Sequence, residues 1–267
     1  DLGTLNGGVS STVVVTVVPA AGASITNTAS ASTASSDPVP ANDTASATTG
    51  VVDAQPVALE VDGVAGSGVS DVNGVFEPGE RVVVSPTWGN PSGGPAALAG
   101  SLSACGPVSV SGGTYSIADA AASYGTIAAG GTAACAGATG DVYELEVPVP
   151  GVRPATHWDA QATETTSTGA VRTWTIHLGE SFPDVPRDYF AYRFVETIFH
   201  NGVTAGCGSA GYCPESTLSR AEMAVLVLRA KHGAAWTPPA SAGNVFTDVP
   251  VDFWAGDFIE QLAAEGI

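Results

Sequence analysis

The stretch at residues 171–178, Val-Arg-Thr-Trp-Thr-Ile-His-Leu, sets the expected fold class. Its apolar side chains alternate with polar ones, which is the period of a strand that buries one face. Residues 143–147, Tyr-Glu-Leu-Glu-Val, alternate in the same way. No segment of residues 53–180 has a convincing helical period. The pattern predicts a β-sandwich over residues 53–180, with further strands at 57–62, 81–86, 107–111, 142–149 and 157–166.

Residues 1–52 predict a smaller β unit. Strands are expected at residues 11–18, 25–33 and 43–52, because hydroxyl and β-branched side chains dominate them. Residues 37–42, Asp-Pro-Val-Pro-Ala-Asn, predict the turn before the third strand. Three strands with one apolar face are hard to keep folded alone and leave an open edge.

The charge balance excludes one class of partner. The 267 residues include 8 Lys and Arg against 26 Asp and Glu, a formal net charge of −18. A phosphate backbone or an anionic membrane repels such a surface, so no nucleic-acid partner is expected. No run of about 18 apolar residues occurs, so no membrane span is predicted. The sequence begins without a charged-then-apolar leader, so a secretion signal is expected to have been removed or to lie outside it.

Four cysteines, Cys105, Cys135, Cys207 and Cys213, allow three disulfide pairings. Pairing sequence neighbours, Cys105 with Cys135 and Cys207 with Cys213, puts one bridge in each of two modules. The alternatives are free thiols or a zinc site, and zinc would need closely spaced Cys/His pairs that the sequence lacks. Disulfides predict an oxidising, extracellular compartment.

Residues 181–267 change to helical periodicity. A first helix is predicted to end at Asn201-Gly202, and its apolar positions are Phe190, Phe194, Val195, Ile198 and Phe199. A second helix is predicted from Ser219 to Gly233, with Ser219 and Glu222 forming a capping box. The apolar stripe predicted for the second helix is Met223, Leu226, Val227 and Ala230.

The same segment repeats itself with an offset of 64 residues. The motif at residues 182–186 recurs at 246–250, and Phe-Val-Glu at 194–196 recurs as Phe-Ile-Glu at 258–260. Matches that stay in phase mark a tandem repeat. We therefore divide the segment into a first repeat, 181–244, and a truncated second repeat, 245–267.

Four ordered motifs of the first repeat resemble an S-layer-homology (SLH) repeat of bacterial surface proteins. They are Phe-Pro-Asp-Val-Pro at 182–186, Gly-Val-Thr-Ala-Gly at 202–206, Tyr-Cys-Pro at 212–214 and Leu-Ser-Arg-Ala-Glu-Met at 218–223. Residues 7–45 resemble the end of an immunoglobulin-like repeat of such proteins. The resemblances imply a mainly β chain of tandem immunoglobulin-like β-sandwiches, followed by a small α-helical SLH module that attaches to cell-wall polysaccharide.

The SLH resemblance also implies residues for glycan binding or assembly: Asp184, Arg220, Glu222 and Asp248. A guanidinium fork suits the anionic substituents of wall sugars. The alternative is that Arg220 is a surface residue of the first helical turn and that Asp184 caps a turn.

Residues 71–80, Asp-Val-Asn-Gly-Val-Phe-Glu-Pro-Gly-Glu, resemble a signature of extracellular β-sandwich modules. Calcium takes six to eight oxygen ligands, which a cluster of carboxylates and amides can supply. The candidate ligands are Asp62, Asp71, Asn73, Glu77 and Glu80. The alternative is a pair of turns with solvated carboxylates, and no cofactor is expected to be required.

Signatures of enzymes are missing. Residues 206–211 fit G-x-G-x-x-G, but a helix precedes them and Tyr-Cys-Pro follows, so they predict a turn. No G-x-S-x-G or H-E-x-x-H motif occurs, and the four histidines, at 157, 177, 200 and 232, are scattered in sequence. No catalytic residue is assigned, and a non-enzymatic protein is expected.

The sequence predicts a structural protein of the bacterial cell surface, a protomer of a surface layer, sheath or filament. A calcium-dependent adhesin or a carbohydrate-binding module is the alternative. The expected partners are cell-wall polysaccharide and further copies of the chain, joined by strand addition or head to tail. The sequence is expected to begin part-way through an immunoglobulin-like module and to end part-way through a helical repeat. Two explanations are open: the sequence is a piece of a longer polypeptide, or the incomplete modules are completed by neighbouring subunits.

Overall fold

The computed structural model describes residues 6–17, 24–50, 53–107, 115–149, 153, 155–208 and 211–267, with side chains except those of 24, 49–50 and 104–107. In these ranges the chain is mainly β, with several antiparallel sheets followed by helices. None of the described helices is long and apolar enough to cross a membrane.

The N-terminal unit is a two-stranded antiparallel sheet of β1 (Ser24–Ser30) and β2 (Thr44–Gly50). Cross-strand hydroxyl pairs such as Thr26–Thr48, 3.0 Å apart, line one face. The strand predicted at residues 11–18 is wrong over 11–17, where the backbone forms no strand, and residue 18 lies outside the described ranges. Val13, Val14, Val15 and Val17 are exposed, because β propensity alone makes no strand when no neighbour pairs with it.

Two larger antiparallel sheets form one module. Their strands overlap the predicted segments at 57–62, 81–86, 142–149, 157–166 and 171–178, whereas the one predicted at 107–111 falls mostly outside the described ranges. The five-stranded sheet has the order β3 (Gln55–Val61), β4 (Arg81–Gly89), β9 (Tyr143–Glu146) and β6 (Ser116–Asp119), with β8 (Thr132–Ala134) also on β4. The four-stranded sheet has the order β11 (Val171–His177), β10 (Asp159–Thr166), β5 (Ala96–Pro107) and β7 (Ala121–Ile127).

Strand β4 tolerates a proline in the middle of a sheet. On one side it pairs with β9 over Arg81–Val84 and then with β8 over Thr87–Gly89. Pro86 lies in the gap between these two pairings, where a missing backbone N–H breaks no ladder bond. The Ser85 hydroxyl fills the same gap by accepting the Ala136 amide at 3.2 Å, at the start of the short helix α1 (Cys135–Ala138).

The shared core of the two sheets contains a buried carboxylate. Glu164 on β10 has no exposed surface. It accepts hydrogen bonds from the indole Nε1 of Trp88 at 3.0 Å and of Trp174 at 2.8 Å. The hydroxyls of Tyr124 and Tyr143 donate to its other oxygen at 2.6 and 2.8 Å. Burial and the neighbouring Glu164 charge raise the pKa of both tyrosines, which keeps them protonated donors. The four donors come from both sheets, so one carboxylate ties the sheets together.

Replacing Glu164 by leucine tests this tie. Glu164→Leu leaves four buried donors without an acceptor, and we expect the free energy of unfolding to fall by about 4 kcal/mol or more. Urea unfolding followed by tryptophan fluorescence measures the change. The matched control, Glu146→Leu at an exposed position of β9, should stay within about 0.5 kcal/mol of the parent. Equal losses in the two variants would contradict the role of Glu164.

The disulfide predictions have opposite outcomes. Cys207 and Cys213 form a disulfide, with Cα atoms 5.8 Å apart. The Cys105–Cys135 pairing is wrong, because Cys135 is a free thiol. Cys135 follows β8 of the five-stranded sheet and is buried in the core, with its Sγ 3.5 Å from Ser85 Oγ, whereas Cys105 lies on β5 of the other sheet. The structure describes the backbone of Cys105 but not its side chain.

Both helices end where the sequence predicts, and the second also begins there. The apolar face predicted for the first helix is wrong at Phe190, which precedes the helix, and at Phe194, because both are exposed. Helix α2 (Tyr192–His200) is followed by Asn201 and Gly202, and α3 (Arg220–His232) ends at Gly233. The Ser219 hydroxyl accepts the Glu222 amide at 3.2 Å and Glu222 accepts the Ser219 amide at 2.7 Å, which confirms the capping box.

The apolar stripe predicted for α3 is wrong. Met223 and Ala230 are exposed, and Leu226 and Val227 are only half-buried. Ala224 and Leu228 are the buried residues of this helix, one turn apart. Helix α3 therefore packs on α4 (Gly256–Ala264) through a face that is offset from the predicted stripe.

The backbone reproduces the 64-residue repeat. Helix α4 starts and ends 64 residues after α2. The flanking backbone hydrogen bonds recur at the same offset. The matched pairs are Val185 N to Phe182 O with Val249 N to Phe246 O, Tyr189 N to Pro186 O with Phe253 N to Pro250 O, and Gly202 N to Phe199 O with Gly266 N to Ala263 O.

The first helical unit, formed by the first repeat (residues 181–244), packs against the two-sheet module. Val75, from the loop between β3 and β4, belongs to the same buried cluster as Phe182, Val185, Tyr192, Val195 and Phe199. The Gly179 amide donates to the Phe76 carbonyl at 2.8 Å, beside a parallel bridge between Phe76 and Leu178. This junction places the end of β11, the β3–β4 loop and α2 side by side.

Candidate functional site

The β3–β4 loop gathers three of the five predicted calcium ligands. Carboxylate oxygens of Asp62, Asp71 and Glu77 lie within 4.8 Å of one another. Asn73 and Glu80 support the loop instead. The Asn73 amide Nδ2 donates to Glu77 at 2.7 Å, and Glu80 accepts the backbone amides of Asp71 at 3.3 Å and of Glu77 at 3.2 Å.

Two oxygens of this cluster are buried and unpaired. Asp62 and Glu77 have no exposed surface, and Asp62 Oδ1 and Glu77 Oε2 accept no hydrogen bond from the described residues. An unsatisfied buried polar atom costs roughly 1–3 kcal/mol, and a charged one costs more. Arg187 pairs with Glu180 at 2.7 Å and lies 3.6 Å from Glu80, so it offsets part of the loop's negative charge but makes no ion pair with Asp62 or Glu77.

The cluster is unfavourable when it is charged and empty. Burial raises the pKa of Asp62, and burial together with the adjacent Glu80 raises the pKa of Glu77. Burial and the charges of Glu77 and Glu196 raise the pKa of Tyr192, so α2 also faces this cluster. A bound divalent cation reverses these influences, because it favours the ionised carboxylates.

A second group of ligand atoms lies at the same junction, where three imidazoles surround Asp159. Asp159 opens β10 and pairs with His177, the last residue of β11, while His157 precedes β10 and His200 ends α2. Asp159 Oδ1 is 2.5 Å from His177 Nδ1 and 3.1 Å from His200 Nδ1, and its Oδ2 is 2.9 Å from His157 Nε2. Three of the four histidines, although scattered in sequence, therefore converge in the structure.

The imidazoles and the carboxylate alter one another's protonation. Although burial acts to raise it, hydrogen bonds from His177 and His200 hold the pKa of Asp159 below its ordinary value. Although burial acts to lower it, bonds to Asp159 and Glu196 raise the pKa of His200. Burial lowers the pKa of His157, against the attraction of Asp159.

The residues assigned to glycan binding by resemblance lie in two places. Asp184 accepts the backbone amides of Tyr212 at 2.9 Å and of Cys213 at 2.7 Å, so it closes the disulfide loop. Glu222 serves the cap of α3. Arg220 and Asp248 are exposed, 3.6 Å apart, and border a cleft of about 430 Å³ between α3 and α4. Glycan contact by these residues stays a prediction.

Known proteins offer a weak structural likeness to this chain and no sequence match. No protein-family model matches the sequence, and no curated protein is similar to it. Among solved structures, the chain is similar to the alkylpurine DNA glycosylase AlkC of Pseudomonas fluorescens bound to DNA containing an abasic site analogue. The TM-score is 0.26 and the identity 15%, over 47% of this chain and 30% of that one.

This comparison contradicts two expectations drawn from the sequence. The similar protein is an enzyme, whereas the sequence predicted a non-enzymatic structural protein, with an adhesin or carbohydrate-binding module as the alternative. Those predictions are therefore withdrawn. With a TM-score of 0.26, the likeness carries no argument for the fold of this chain or for glycosylase activity in it.

Asp184 and its repeat counterpart Asp248 form a matched pair for mutation. Asp184→Ala removes the acceptor of two amides, so we expect the free energy of unfolding to fall by about 1 kcal/mol, a value reduced by solvent exposure. Asp248→Ala should change it by less than about 0.5 kcal/mol. Chemical denaturation at several pH values measures both.

The pH dependence of the Asp184 effect follows from its hydrogen bonds. The amides of Tyr212 and Cys213 lower the pKa of Asp184 below the ordinary value of 3.8. Its contribution is therefore complete above 3.8 and is lost as the pH falls through the lower folded value. A difference between parent and Asp184→Ala that persists in strong acid would contradict this assignment.

Proposed function

We propose that the chain is an extracellular calcium-binding module, in which the ion holds the β3–β4 loop against the two-sheet core and the first helical unit. The observation that carries the proposal is the pair of buried oxygens, Asp62 Oδ1 and Glu77 Oε2, that form no hydrogen bond of ordinary geometry with the described residues. Both residues are buried, so bulk water does not compensate them.

The chemistry of the cluster favours calcium among common cations. Among the described residues, the neighbouring carboxylates of Asp62, Asp71, Glu77 and Glu80 have one ion pair, that of Glu80 with Arg187 at 3.6 Å. An all-oxygen set on an irregular loop suits the flexible coordination of Ca²⁺, whereas Mg²⁺ demands near-octahedral geometry and keeps its water. Asp62, Asp71 and Glu77 would be the ligands, and backbone carbonyls or water would supply the remainder.

The proposal extends to fold type and location. We propose an immunoglobulin-like arrangement for the two-sheet module and an SLH type for the helical repeats. The single core between two antiparallel sheets and the recurring backbone bonds support these proposals. The Cys207–Cys213 disulfide supports an extracellular location. Cell-wall polysaccharide and further copies of the chain stay predicted partners.

Calcium titration of the chelator-treated full chain tests the proposal. We expect one Ca²⁺ per chain at this loop, with a dissociation constant of about 10⁻³ M or tighter, in the range of extracellular modules. The melting temperature should rise with calcium concentration by mass action and return to its starting value in EGTA. Mg²⁺ at equal concentration should produce a smaller rise. Isothermal titration calorimetry and thermal denaturation measure both quantities.

Charge-neutral variants separate calcium binding from general stability. Asp62→Asn and Glu77→Gln should abolish the calcium-induced rise, yet melt close to the calcium-free parent, because each also removes a buried charge. Glu60→Gln, an exposed change of the same charge on β3, should keep the full response. Calcium binding unchanged in Asp62→Asn and Glu77→Gln, or no binding by the parent, would refute the proposal.

A further inference from the structure

We propose that His157, Asp159, His177 and His200 form a second, independent metal site that binds a transition-metal ion of the Zn²⁺ class. One nitrogen of each imidazole and one carboxylate oxygen lie within 4.8 Å of one another. Nitrogen donors of this kind suit Zn²⁺ and neighbouring first-row metals rather than calcium, which takes oxygen.

The spacing of the donor atoms is close to that of a four-coordinate site. Tetrahedral zinc with bonds of about 2.0–2.1 Å holds its donors about 3.3 Å apart. The three nitrogens lie 2.5, 2.9 and 3.1 Å from the oxygens of Asp159. All four donor groups lie within 4.8 Å of one another, so the set His157 Nε2, His177 Nδ1, His200 Nδ1 and one Asp159 oxygen would bind an ion after side-chain adjustment.

The surroundings of His200 orient it as a ligand. Its Nε2 lies 3.1 Å from the Leu178 carbonyl, 3.2 Å from Ser181 Oγ and 3.4 Å from Glu196 Oε2. These acceptors favour a proton on Nε2 and leave Nδ1 directed at Asp159. Second-shell acceptors of this kind accompany most metal-binding histidines, where they select the ligating nitrogen.

Convergence from separate segments distinguishes this cluster from an ordinary ion pair. A carboxylate that needed only a charge partner would be satisfied by one imidazole. Here three reach it, from the segment before β10, the end of β11 and the end of α2. The rings of His177 and His200 stack with centroids 4.4 Å apart, and that of His157 stands 4.8 Å from His200.

The site has a route to solvent. His157 is exposed, and His177 and His200 border a cleft of about 450 Å³ between β3, β11 and α2. An ion could therefore enter the folded protein. Because His200 lies on α2 and the other three ligands on the two-sheet module, a bound ion would fasten the helix to the sheet.

Cobalt titration of the full chain, without a polyhistidine tag and with calcium present throughout, tests the proposal. Co²⁺ substitutes for zinc and absorbs visible light strongly when it is four-coordinate. We expect one Co²⁺ per chain with such absorption, loss of the absorption when one equivalent of Zn²⁺ is added, and a higher melting temperature with Zn²⁺. Saturating calcium keeps the loop of residues 62–80 from contributing.

Ligand variants assign the signal to these residues. His157→Ala and His177→Ala, at positions that are not fully buried, should each weaken Co²⁺ binding by at least about 100-fold. His232→Ala, an imidazole outside the cluster that bonds to Glu265, should bind as the parent does. Circular dichroism verifies that each variant is folded. Absence of cobalt absorption in the parent, or parent-like binding by the double variant of His157 and His177, would overturn the proposal.

Discussion

Compensation of buried negative charge is the constraint on which the rest of this structure depends. With 26 acidic and 8 basic side chains, the protein has too few cations to pair each carboxylate. Glu144 has a conventional ion pair, with Arg81 at 2.7 Å. Two other buried carboxylates use different partners: aromatic donors from both sheets surround Glu164, and Ser181 and His200 face Glu196. Asp62 and Glu77 each accept a hydrogen bond from Asn73, but Asp62 Oδ1 and Glu77 Oε2 form no hydrogen bond with the described residues, and the proposed cation would compensate them.

The same constraint explains why both candidate sites lie at one junction. Tyr192 and His200, both on α2, reach the loop carboxylates and Asp159 respectively. A metal ion at either place would link the helical unit and the two-sheet module, which also meet through a small apolar cluster that includes Val75 and Phe199 and through the contacts of Arg187 with Glu80 and the Pro78 carbonyl. In a chain with few lysines and arginines, ions can supply connections that salt bridges supply elsewhere. Metal binding and the packing of the helical unit are therefore expected to be coupled.

The sequence predicted those features whose determinants are local. Alternation predicted β9 and β11, and the capping box predicted α3. The acidic cluster of the β3–β4 loop was predictable because its members fall within 19 residues, 62–80. Strand β5, with the sequence Ala-Ala-Leu-Ala-Gly-Ser-Leu-Ser-Ala-Cys-Gly-Pro, has too little alternation to be recognised. A hairpin centred on residue 168 already pairs Asp159 with His177, so half of the histidine site was predictable. His200 joins this site only because α2 packs against the sheets. The absence of a disulfide at Cys135 likewise depends on tertiary structure, because Cys105 lies on β5 whereas Cys135 follows β8 of the other sheet.

Diffraction from crystals of the full chain grown with Ca²⁺ and Zn²⁺ tests the central claim most directly, with data collected on both sides of the zinc absorption edge. One anomalous peak, insensitive to the edge, is expected between Asp62 and Glu77. A second peak is expected among His157, Asp159, His177 and His200, and it should appear only above the edge. Absence of both peaks, with water or protein donors against the oxygens of Asp62 and Glu77, would contradict the claim that bound cations compensate these buried carboxylates.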